Sequence, residues 1–195
     1  MLNRLTYLAT SIIAGYKIAN GMDTYSDLTT AFYTVSFGVL LLACILLLLM
    51  GFEIMENDYV AIVTSLIPIT LSLGLATDKL EQPQIFIAVI GIGFFVAMVV
   101  RLYGKNKISA LSLGAIHFLA GSVIFLLPLF LFCSGKTGYK ILAISLGGSL
   151  IGITGILLGL NKLNKFINLK EKIYEQFPLI LFMTTVLFVF GLSEN

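Results

Sequence analysis

The stretch LTTAFYTVSFGVLLLACILLLLMGF, residues 28–52, runs for 25 residues without a charge, from Asp27 to Glu53. A helix of that length reaches about 37 Å, more than the ~30 Å of hydrocarbon in a bilayer. In hydrocarbon no water satisfies the backbone, so a long apolar run closes its own hydrogen bonds as a helix and not as an open strand.

Five more charge-free gaps follow from this one: 59–77, 82–100, 108–135, 141–161 and 176–193. Each is at least 18 residues long, so the sequence predicts six membrane spans. Composition agrees: of 195 residues, 58% are hydrophobic and 11% charged, with a mean hydropathy of +1.03. A soluble domain carries about 25% charged residues, so a soluble enzyme and a disordered chain are both excluded as defaults. The net charge of +2, with no basic stripe interleaved with aromatics, gives no reason to expect nucleic acid. Cys44 and Cys133 lie in apolar runs and read as small hydrophobes, without a CxxC pair for metal or redox chemistry.

The segment 2–22 is a possible seventh span. Arg4 and Lys17 leave 12 uncharged residues between them. Both side chains could snorkel outward and lengthen the span. Alternatively Leu2, Leu5, Ile12, Tyr16 and Ala19 form one apolar stripe and the helix lies in the interface. With no Trp in the chain, Tyr25, Tyr59, Tyr103, Tyr139 and Tyr174 are placed to form the interfacial aromatic belt. One set of loops and the N-terminus carry eight Lys and Arg against four on the other side. Loops 101–109 and 161–177 are therefore expected on the cytoplasmic side, with the C-terminus outside.

The chain reads as three repeated helical hairpins, about 2–52, 58–104 and 109–160, plus a final helix. The second helix of each hairpin opens and closes with glycine: Gly38 to Gly51 and Gly91 to Gly104 are 13 residues apart, and Gly147 to Gly159 is 12. A period near 50 suggests triplication of a two-helix unit in one transmembrane domain. The segment 161–177 places Leu163, Phe166, Ile167, Ile173, Tyr174 and Phe177 on one face, as an interfacial amphipathic helix would, and the last span is expected over 177–193. The stretch His117 to Gly159 has Pro128 before a short loop and Gly147, Gly148, Gly152, Gly155 and Gly159 after it. In this pattern the chain resembles the HdeD-like family, small bacterial six-helix membrane proteins linked to acid resistance. The resemblance implies a helical bundle in the bacterial inner membrane and a stress-related role, with no functional residues to transfer. The extra last helix departs from the family.

Four glycines form two G-x-x-x-G pairs, Gly148–Gly152 and Gly155–Gly159. Small residues let helix backbones approach closely in lipid, either inside the bundle or across a homodimer. His117 is the one histidine and the one ionisable residue well inside a span. It can be a neutral, hydrogen-bonded histidine, a proton-responsive switch or a cofactor ligand. Pro68 removes an amide donor in the third span and frees the Thr64 carbonyl. With Thr64, Ser65 and Thr70 beside it, and His117, it marks a possible polar path. No Asp or Glu lies mid-span, and no HExxH, nucleophile elbow or phosphate loop is present, so no catalytic or metal residues are assigned. The expectation is a noncatalytic integral membrane protein without a cofactor, structural, accessory or stress-related. Its partners would be the bilayer and a homo-oligomer or membrane complex. The alternatives are a small-solute or ion conduit through the kinked third span and His117, or a haem- or quinone-binding redox subunit.

Overall fold

A computed structural model of the chain describes residues 2–20, 22–104, 106–162 and 169–193. The described residues form an all-α bundle: α1 (Leu2–Asn20), α2 (Asp27–Met50), α3 (Asp58–Lys79), α4 (Gln84–Tyr103), α5 (Asn106–Cys133), α6 (Leu142–Lys162) and α7 (Leu169–Gly191). The helices α2 to α7 supply the six that are long and apolar enough to cross a membrane. Local sequence sets their ends. Ser26 caps α2 by accepting from the Thr29 amide, and the Asn57 side chain caps α3 by accepting from the Tyr59 and Val60 amides. Gly51 ends α2 at φ +76°, a left-handed conformation that disfavours any side chain.

Six helices close into a ring in the order α1, α2, α3, α5, α6, α7 and back to α1. One apolar cluster joins all six, including Tyr7, Phe37, Leu71, Ile124, Ile144 and Phe188. α4 stands outside the ring. It packs mainly on α5, more lightly on α3, and the three share a satellite cluster of Ile69, Leu73, Ile90, Ala97, Leu113, Ile116 and Ala120. At one end Asp58 accepts a 2.7 Å ion pair from Arg101, tying the start of α3 to the end of α4.

This arrangement modifies three expectations. The pairing α3–α4 is loose, so the three hairpins are not equivalent packing units. The opening glycines of the proposed repeat also meet different surroundings: Ile18 lies near Gly38, nothing near Gly91, and Phe188 against Gly147. The last candidate span covers Lys172–Gly191. α7 is one helix from Leu169, so the second half of the amphipathic segment continues it, and Tyr174 and Phe177 stack on Phe52 with ring centroids 4.0 and 5.0 Å away. Leu163, Phe166 and Ile167 lie outside the described residues. Tyr59, Tyr103 and Tyr139 project outward at helix ends, as a belt requires, whereas Tyr25 and Tyr174 are used in internal stacking.

α1 settles how its two faces are used. Leu5, Leu8, Ile12 and Tyr16 face outward, while Tyr7, Thr10, Ser11, Ala14 and Lys17 are buried against the bundle. A helix surrounded by water has the opposite pattern. With α1 packed along α2 and α7, the stripe of Leu5, Ile12 and Tyr16 therefore lies on the outside of the bundle and the hydroxyls and Lys17 on the inside.

Glycine makes the tightest helix contacts. A Cβ on Gly74 of α3 would collide with the buried Tyr33 ring of α2. Gly147 and Gly148 are neighbours in α6 and point to different partners, the first to Phe188 and Thr184 of α7, the second to Ile124 of α5. We expect Gly74→Ala to lower the stability of the detergent-solubilised protein by about 1–3 kcal/mol, the usual range for overpacking. Gly152→Ala, with no described atom within 4 Å of the new methyl, should leave it unchanged. Thermal unfolding followed by circular dichroism checks both.

Candidate functional site

The Lys17 side chain is only 4% exposed, although the sequence suggested that it would snorkel. It turns into the ring and donates a 2.9 Å hydrogen bond to the Leu192 carbonyl, just beyond the C-terminal end of α7. The Tyr25 hydroxyl donates to the same carbonyl, also at 2.9 Å. A cation beside helix C-terminal carbonyls meets the negative end of the helix dipole. The ammonium also lies 5.7 Å from the centre of the Tyr25 ring. Tyr25 in turn packs edge-on against Tyr33, with centroids 5.1 Å apart, and Tyr33 covers Gly74. Next to it the Thr29 hydroxyl donates to Thr77 across α2 and α3 at 2.9 Å. This cluster joins α1, α2, α3 and α7 at one end of the bundle. Its sequence signal is the spacing Tyr7, Thr10, Ala14, Lys17, which places the lysine on the inward stripe of α1.

The residues of the expected polar path are not brought together. Thr64 is half-buried and lines an apolar groove of about 170 Å³ between α2 and α3, with Val39, Leu42, Ala43, Tyr59 and Val63. Its hydroxyl donates to the Val60 carbonyl at 2.8 Å. Ser65 and Thr70 are buried, and they donate to Ile62 and Leu66 of their own helix at 2.6 and 2.7 Å. These hydroxyls bind the α3 backbone instead of facing a shared channel. Pro68 is half-buried, and the Ser36 hydroxyl of α2 donates to the adjoining Ile67 carbonyl at 2.9 Å. His117 belongs to α5, which packs on α3 away from the α2 groove that Thr64 lines.

The imidazole of His117 is exposed on the bundle surface and makes no hydrogen bond among the described residues. It lies nine residues inside the charge-free run 108–135. Farther along, Gly148 meets Ile124, and the Ser145 hydroxyl donates to the Phe125 carbonyl at 2.7 Å, one residue beyond the Ile124 carbonyl that Pro128 frees. On the His117 side, Gly114 and Gly121 of α5 and Gly152 and Gly155 of α6 have no described atom within 4 Å of an added Cβ. Of the four glycines assigned to packing, Gly148 is in close contact, Gly152 and Gly155 are open, and the surroundings of Gly159 lie outside the described residues.

No family model matches the chain, and no curated protein or solved structure is similar to it.

Lys17→Met removes the charged donor at the α1–α7 seam while keeping the length of the side chain. We expect it to cost about 1.5–3 kcal/mol, the range for a hydrogen bond involving a charged group. Tyr25→Phe leaves the carbonyl one donor and should cost about 1 kcal/mol. Denaturant titration in detergent measures both. A Lys17→Met protein as stable as the parent would remove this seam as a stabilising element.

Proposed function

We propose that this chain is a noncatalytic integral membrane protein, a structural or accessory component of a larger assembly in a bacterial inner membrane. The observation that supports it best is the filling of the ring. Tyr33, Phe37, Leu71, Leu75 and Ile144 are each under 2% exposed and belong to the cluster shared by all six ring helices. Buried hydroxyls beside them are paired with backbone: Thr10 with Thr6, Ser72 with Ile69 and Thr185 with Leu181. A centre built this way is suited to holding helices in place. The resemblance to the HdeD-like proteins supports a stress-related version of the same role. With seven helices crossing, the two termini lie on opposite sides, and the Lys and Arg distribution favours a cytoplasmic N-terminus.

Native mass spectrometry of the protein extracted in mild detergent tests this reading. The expected result is a discrete assembly heavier than the 21.3 kDa chain. A bare monomer that also conducts a solute through reconstituted vesicles would sink it. The conduit alternative makes its own demand: Thr64→Val and Ser65→Ala must then change the flux. We expect both variants to leave vesicle permeability at the parental level.

A further inference from the structure

We propose that the groove between α2 and α3 holds one acyl chain of a phospholipid with a primary-amine headgroup, whose ammonium is received by Glu53 above the mouth of the groove. The proposal concerns binding only. It rests on the membrane reading of the chain and not on its role as a scaffold.

The groove has the dimensions of a lipid chain. Its walls include Val39, Leu42 and Leu46 of α2 and Tyr59, Val63 and Thr64 of α3. Val39 and Leu46 are seven residues apart, so the groove follows the helix axes for about 10 Å. Its volume of about 170 Å³ takes about six methylene groups, if each is given the ~30 Å³ of a water molecule in the liquid. Leu42 and Val63 are exposed, so it opens sideways to the bilayer. The Thr64 hydroxyl is spent on the Val60 carbonyl, and the walls below Tyr59 offer a guest dispersion contacts alone. A helix of a partner protein, about 10 Å across, does not enter a space of this size. Tyr59 is the second residue of α3, which puts the mouth of the groove at the edge of the span.

The charge at the mouth selects the headgroup. The connection from Gly51 to Asp58 carries Glu53, Glu56 and Asp58 and no Lys or Arg. The segment 101–109, at the same end of the bundle, is the reverse, with Arg101, Lys105 and Lys107 and no acid. Asp58 is committed to Arg101 at 2.7 Å. Glu53 is exposed and forms no ion pair among the described residues. It stands on the short 3₁₀ turn Phe52–Glu56, where Phe52 stacks on Tyr174 and Phe177 and where Ile54 and Met55 pack on the core, which leaves Glu53 on the outward side. A primary ammonium donates charge-assisted hydrogen bonds to such a carboxylate. A choline has no N–H to donate, and a net anionic headgroup meets like charge. The exposed Tyr59 hydroxyl stands at headgroup level, where it can donate to the phosphate that precedes the amine. An ethanolamine phospholipid meets all three conditions: chain in the groove, phosphate at Tyr59, ammonium at Glu53.

The test uses the whole protein in phosphatidylcholine nanodiscs doped with phosphatidylethanolamine, phosphatidylglycerol or phosphatidylcholine that carries a diazirine on one acyl chain. Light fixes the chain where it lies, and peptide mass spectrometry reads the site. We expect the ethanolamine probe to label residues 39–46 and 59–64 about tenfold more than either other probe, the discrimination that one charge-assisted hydrogen bond supplies. Unlabelled phosphatidylethanolamine should compete and phosphatidylglycerol should not. Glu53→Gln should bring the three probes to equal labelling of the groove. Val63→Trp, and Leu42→Trp on the opposite wall, should fill the groove and abolish its labelling at a parental thermal midpoint. Equal labelling by the three headgroups in the parent protein overturns the proposal and makes the groove an unselective lipid contact. A preference for phosphatidylglycerol, or labelling confined to other helices, overturns it too. So does an ethanolamine preference that survives Glu53→Gln. Should both tryptophan variants lose the parental midpoint, the Glu53→Gln comparison decides alone, because that substitution lies on an exposed turn outside the span.

Discussion

Polar groups inside hydrocarbon must find partners within the protein, and the bundle is arranged around that requirement. Water cannot take up the slack, so a serine or threonine carried into the membrane gains by turning onto a carbonyl, although the buried Thr184 hydroxyl does not. Most of the buried ones bond to their own helix, three or four residues back. Three reach across instead: Ser36 to Ile67, Ser145 to Phe125, and Thr29 to Thr77. These crossings lie on the α2–α3 and α5–α6 seams. Two of them meet backbone near a proline, where the regular ladder is interrupted. The prolines and the seams thus coincide at two of the crossings.

The second requirement is close approach. Lipid tails are as apolar as leucine, so burying leucine gains little and helix association rests on dispersion contacts and on how near the backbones come. Gly74, Gly147, Gly148 and Gly191 each sit where a methyl would strike a neighbouring helix. Gly152, Gly155, Gly114 and Gly121 do not. The same residue type therefore does two jobs in one bundle. In the first set it brings helices together, and in the second it leaves a wall bare.

The six spans were readable because charge interrupts apolar runs at bilayer spacing. Helix ends at Ser26, Gly51 and Asn57 follow from capping chemistry just as directly. The order of helices around the ring was not readable. It depends on which faces fit, and leucine-rich faces differ too little in composition to say. The hairpin repeat placed α3 with α4, yet α3 fits α2 and α5 better and α4 is left outside. The hydroxyls of the expected polar path make a related point. Thr64, Ser65 and Thr70 are close in sequence, but a hydroxyl four residues from a carbonyl on its own helix needs no channel to satisfy it. The spacing of Lys17 from Arg4 suggests a snorkelling lysine, whereas the inward stripe it shares with Tyr7, Thr10 and Ala14 carries it into the ring.

The bond between Lys17 and Leu192 closes a loop of 175 residues. Chain synthesis at about 5–20 residues per second separates these two residues by roughly 10–35 s. Throughout that interval the inward face of α1, with Thr10, Ser11 and Lys17, has no α7 to rest against. The polar stripe must be held at the membrane surface, in the insertion machinery or against α2 until the last helix arrives. Order of assembly is therefore written into the ring: α1 is made before the other ring helices and sealed only after them.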